Sequence, residues 1–130
     1  MPTPEPQQFA DDWVQAWNSH DVEAVLAHFH HDVVFSSPIA ARVLPDSLGV
    51  VRGKEALRHY WTTALALLPD LYFEVIAVYQ GESTLVINYR NHRGELVNEV
   101  LTFDAPSCEW VTARIWAHDA RSVCGRGDKV

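Results

Sequence analysis

Positive charge is scarce in this chain. Lys and Arg together number 10 against 17 Asp and Glu, for a formal net charge of −7. No basic surplus exists to neutralise phosphates, so nucleic acid is not an expected partner, and anionic membrane surfaces are disfavoured for the same reason. Cysteine is scarcer still. Cys108 and Cys124 do not make a disulfide framework and read as free thiols of a reducing cytoplasm. No apolar run approaches the ~20 residues of a membrane span. The opening MPTPEPQQF lacks a basic segment followed by an apolar one, so no secretory signal is expected, and the location expected is cytoplasmic. Gly-rich phosphate loops, Ser-His-Asp ordering and a catalytic cysteine context are all missing, and no cofactor is expected. Arg126-Gly127-Asp128 spells an adhesion tripeptide, for which chance is the better explanation in a chain without an export signal.

What the chain does have is apolar and aromatic bulk. Hydrophobic residues make up 48% of its 130 positions, and five of them are tryptophan. A chain of this size buries roughly two-thirds of its unfolded surface, enough for one domain without staples. That domain is expected to occupy 1–130, with 1–6 and 121–130 as irregular tails. Phe9, Trp13, Ala16 and Trp17 recur at helical spacing and predict a helix over 5–19. Asp21 is a good N-cap for a second helix with Val22, Val25, Leu26 and Phe29 inward. Residues 32–37 alternate as a strand, with Val33, Phe35 and Ser37 on one face. Residues 39–52 read as a long apolar connection of the kind that forms a lid or an interface. A third helix is predicted over 54–68. Segments 71–80, 84–91, 95–104 and 108–119 are rich in Val, Ile, Tyr, Phe and Trp, and short turns between them predict an antiparallel meander. In 84–92 the inner face is ambiguous, because Leu85, Ile87 and Tyr89 compete with Val86, Asn88 and Arg90.

Three stretches carry a family resemblance: the WNSHD turn, FHHDVVFSSP leading into the first strand, and VVRGKEALRHYW opening the third helix. The final LVNEVLTFD and WVTARIWAHD match as well. In this order the chain resembles the NTF2-like superfamily, and within it the SnoaL-like and ketosteroid-isomerase-like branches. The resemblance implies an α+β fold in which a cone-shaped, curved antiparallel sheet wraps three N-terminal helices. It also implies a deep apolar pocket and a homodimer formed through the outer face of the sheet. It places Ser37 where the isomerases carry their general-base Asp, and Trp13 where they carry an oxyanion-binding Tyr. Trp61, with Tyr60 beside it, stands at the supporting Tyr, and Glu99 at the protonated acid. A serine hydroxyl is too weak a base for enolisation, so steroid isomerisation is not the expected activity.

The catalytic candidates are therefore Glu99, Arg114 and His118. Alternation puts Glu99 with Val97, Leu101 and Phe103 on one face, and Arg114 with Thr112, Trp116 and His118 on one face of the next strand. Glu99 and Arg114 could meet across the hairpin, either as a pocket acid with its orienter or as a structural ion pair. His118 has the pKa of a general base, although a solvated strand end is the commoner fate. Trp13, Phe35, Ser37, Tyr60, Trp61, Thr112 and Trp116 are the candidate ligand contacts, whereas Trp17 reads as helix packing and Trp110 as outward. His28, His30, His31 and Asp32 lack the spacing of a metal site, and none is expected. The expected ligand is a small apolar or aromatic molecule. Its chemistry would be proton transfer of the isomerase, cyclase or hydratase kind on a carbonyl compound; the alternative is a non-catalytic binding or assembly module.

Overall fold

A computed structural model describes residues 5–104 and 109–117. Helix α1 (Pro6–Asn18) begins where the Glu5 carboxylate accepts the backbone N–H groups of Gln7 and Gln8 at 2.9 and 3.0 Å. Its buried stripe is Phe9, Ala10, Trp13, Ala16 and Trp17. The chain turns through His20, which takes a left-handed φ of 57°, and Asp21 caps α2 (Val22–Leu26) through Ala24 N–H. Strand β1 (Phe29–Ser36) follows.

The stretch expected as a long loop is structured. Ser37 Oγ accepts the N–H of Ile39 at 3.1 Å and starts α3 (Pro38–Val43). A 3-10 turn (Pro45–Ser47) and the short strand β2 (Val50–Arg52) complete the segment. Pro38 and Pro45, at the starts of the helix and the turn, explain why periodicity missed it, since each element is too short to show a pattern. Gly53, at φ 90°, then leads into α4 (Lys54–Leu67). Arg58 on α4 holds Glu23 of α2 in a bidentate pair, donating from Nε and Nη2 at 2.6 and 3.1 Å. Strands β3 (Glu74–Gly81), β4 (Thr84–Arg90), β5 (Leu96–Asp104) and β6 (Glu109–Ala117) lie close to their expected bounds.

The six strands form one sheet in the order β2-β1-β6-β5-β4-β3. This corrects the expected architecture in two ways. The sheet is open, with β2 and β3 at its two edges, so it is neither closed nor strongly curled into a cone. It is also mixed, because β1 runs parallel to β6 while every other neighbour is antiparallel. Four α-helices, rather than three, accompany it among the described residues, and two of them fall between or after the first strands. Helix α1 packs on β3, and α4 packs on β1 and β2.

One irregularity decides which side chains face the core. Glu109 pairs with Asp104 and Trp110 with Phe103, but Thr112 pairs with Thr102, leaving Val111 as an extra residue on β6. Such a bulge slips one strand by a residue and reverses the faces beyond it. Trp110 and Ala113 are consequently both buried, and Glu99 lies opposite Ile115. The expected 105–107 turn, Cys108, Cys124, His118 and the 121–130 tail lie outside the described residues.

Candidate active-site cavity

The cavity sits between the helices and the inner face of the sheet, with a volume of about 80 Å³. It is smaller than the ~300 Å³ of ordinary drug-sized sites, which restricts it to compact ligands. Strand β4 supplies Tyr89, because Leu85, Ile87 and Tyr89 take the inner face and resolve the ambiguity of that strand. Helix α4 supplies Tyr60 and Trp61, and β1 supplies Phe35. The rings brace one another: Trp17 meets Trp61 edge-on at 4.9 Å, Phe35 meets Trp61 edge-on at 5.5 Å, and Phe73 meets Tyr89 at 4.5 Å. Edge-to-face pairs of this kind fix ring positions beyond what burial alone does.

The WNSHD turn has a definite task here. Asn18 Nδ2 donates to Phe73 O at 2.9 Å, and Asn18 Oδ1 accepts Phe73 N–H at 2.7 Å. His20 Nε2 lies 2.9 Å from Leu71 O. Together they give the segment before β3 the backbone partners of a missing strand. They hold Leu71 and Phe73 against the cavity.

Glu99 is the cavity's carboxyl. It is 3% exposed, and burial pushes its pKa up to about 8, with the Trp13 indole N–H opposing part of the rise. Glu99 Oε2 has no hydrogen-bond partner. Burial likewise raises the Tyr60 hydroxyl to about 12, against the opposing effect of its hydrogen bond with Ser37. Tyr89 rises well above its ordinary value through burial first and the nearby Glu99 and Tyr60 second. The site thus holds two phenols that stay neutral beside one carboxyl that exchanges its proton near neutrality.

Among the expected contacts, Phe35, Ser37, Tyr60, Trp61 and Glu99 come together around this cavity. Trp13 lies behind Glu99, fully buried, stacked on Phe73 and edge-on to Tyr89. Arg114, Thr112 and Trp116 do not join them. The β6 bulge turns all three to the outer face, where Arg114 pairs with Val100 and Trp116 is 56% exposed. Glu99 and Arg114 therefore do not meet. Trp17 packs between helices as expected, against Trp61 of α4, and lines the cavity as well, whereas Trp110, expected outward, is buried between Phe9 and Phe103. Ligand atoms of His30, His31 and Asp32 lie within 4.8 Å of one another on β1. His30 Nδ1, however, already accepts the Asp32 N–H at 3.0 Å.

The chain belongs to the SnoaL-like domain family of the NTF2-like superfamily, whose SnoaL-like model matches residues 10–121. It is similar to a solved SnoaL-like protein of unknown function from Burkholderia thailandensis, with 37% identity and a TM-score of 0.81 over 88% of this chain and 100% of that one. Two more distant structures share the fold. One is an NTF2-like protein from Cytophaga hutchinsonii (11% identity, TM-score 0.66, 91% of this chain and 95% of that one). The other is a protein of ketosteroid-isomerase-like fold from Catenulispora acidiphila, solved in complex with trimethylamine (17% identity, TM-score 0.66, 94% and 91%). No curated protein matches the sequence. No helix among the described residues is long and apolar enough to cross a membrane.

Proposed function

We propose that the cavity binds a compact apolar carbonyl compound and that Glu99 exchanges a proton with it. The observation that carries this reading is the buried, unpartnered Glu99 Oε2 in an aromatic cavity. With Ser37 standing where a base would be, the ionised form of Glu99 is the one group in the cavity basic enough to take a proton from carbon. The Tyr60 and Tyr89 hydroxyls, kept neutral by burial, donate to the oxygen that gains charge. Arg114 has no part in this step, since it faces away. The test is α-deuterium exchange of small cyclic ketones in heavy water, followed by proton NMR. Exchange above background that is lost in Glu99→Gln supports the reading; equal exchange in both proteins removes Glu99.

The size of the cavity favours a second reading, a binding module without turnover. It predicts thermal stabilisation by the same ketones with no deuterium incorporation.

The outer face of the sheet supports a homodimer. Val86, Val100, Thr102 and Thr112 stand there with the exposed Tyr79 and Trp116, and β4, β5 and β6 contribute one charged residue to its centre, Arg114. A partly aromatic face whose centre carries a single charge, that of an Arg, has the composition of an interface core. A monomer mass at micromolar concentration by sedimentation would contradict the dimer.

A further inference from the structure

We infer that the Glu99 cavity also takes compact alkylammonium ions, held by the ionised carboxylate and the faces of the surrounding rings. The inference rests on the reading of this cavity as a ligand site, and it goes beyond the carbonyl ligand proposed above.

Its basis is a charge mismatch in the cavity. Six aromatic residues line it: Trp17, Phe35, Tyr60, Trp61, Phe73 and Tyr89. Ring faces are electron-rich and attract cations, most strongly when water is excluded. Amid them lies a carboxyl whose Oε2 lacks any partner. A buried carboxylate without a counter-ion is costly, and no Lys, Arg or His among the described residues helps to hold Glu99 ionised. The groups around it from the packed elements are Trp13 on α1, Tyr89 and the cross-strand partner of Glu99, Ile87, on β4, Ile115 on β6, and Tyr60 of α4 in the same cavity. None carries a charge at neutral pH. A cation of a few heavy atoms supplies the missing charge, and the volume of about 80 Å³ rejects larger ones.

Binding is then coupled to loss of the Glu99 proton. Tetramethylammonium is the suitable probe, because its own charge does not titrate. With Glu99 titrating at about 8, its apparent affinity rises roughly fifty-fold between pH 6 and pH 8 and levels off above. At pH 7, calorimetry in two buffers of different ionisation enthalpy reads about 0.9 proton released per ion bound. Glu99→Gln loses the pH dependence and at least tenfold in affinity at pH 8. Tert-butanol, a neutral molecule of similar bulk, serves as the second probe. If tert-butanol binds and tetramethylammonium does not, the cavity stands and the inference falls. If neither binds, both fall. Tetramethylammonium bound without proton release overturns the inference whether or not the Glu99→Gln variant folds.

Discussion

The indole N–H of Trp13 is directed at the carboxyl of Glu99, yet neither Trp13 Nε1 nor Glu99 Oε2 reaches a partner in good hydrogen-bond geometry. The two groups lie on α1 and β5, so this contact joins the helical layer to the sheet at the floor of the cavity. Indole can only donate, and it favours the ionised carboxylate. Replacing Trp13 by Phe removes that donor while keeping an aromatic ring. The Glu99 midpoint should then move further above 8, seen in a pH titration of the carboxyl carbon by NMR. A midpoint that stays put would separate Trp13 from the tuning of Glu99.

Global stability should fall as pH rises from about 4.5 to about 8. The folded state holds the Glu99 proton up to about 8, whereas the unfolded chain releases it near the ordinary 4.5. The folded state thus binds more protons inside that window. The contribution is complete below the lower value and lost through the upper one, amounting to roughly 5 kcal/mol. Urea unfolding across this range checks it. In Glu99→Gln the corresponding slope should vanish, and a wild-type profile as flat as that of the variant would count against a buried, titrating Glu99.

Asn18 should matter more than its place in a turn suggests. Its side chain satisfies both backbone groups of Phe73. Asn18→Ala orphans them at a cost of about 1–3 kcal/mol, and it frees one wall of the cavity. Loss of ligand-induced thermal stabilisation should accompany the lower unfolding midpoint. Stability equal to wild type would show that the Asn18 bridge does not hold the wall.

Trp110 and Trp116 should behave oppositely. Trp110 is buried between Phe9 and Phe103, so Trp110→Ala should cost about 3–5 kcal/mol of monomer stability. Trp116 stands on the outer face, and Trp116→Glu should leave the fold intact while weakening self-association. Denaturation and sedimentation of the two variants read the difference. Dissociation unchanged in Trp116→Glu would place the dimer contact elsewhere.

Much of the architecture was legible in the residues. The α1 stripe, the Asp21 cap and the alternation of Val33 with Phe35 and along β5 each follow from one local pattern, but β1 begins at Phe29, the residue expected on the second helix, and stops before Ser37, which caps α3. What escaped depends on non-local geometry. The extra residue at Val111 leaves no mark in composition, yet it exchanges Arg114 for Ile115 opposite Glu99 and turns Trp116 outward. An unbulged hairpin continuing from the Phe103–Trp110 pair would have set Glu99 against Arg114. The openness of the sheet is likewise a matter of how strand edges end, which hydrophobic spacing does not encode. Phe73 became a cavity wall through a side-chain bridge from Asn18, a link between residues 55 apart. Tyr89 was visible as a candidate only once the inner face of β4 was settled.

Glu99, on this proposal, is a buried carboxyl, open to a ligand, that exchanges its proton near neutral pH. The most direct test is the carboxyl carbon-13 resonance of Glu99, assigned through its loss in Glu99→Gln and followed from pH 4 to pH 10. A single titration near 8 is expected, with a downward shift when tetramethylammonium is added. A titration near the ordinary 4.5 would contradict it.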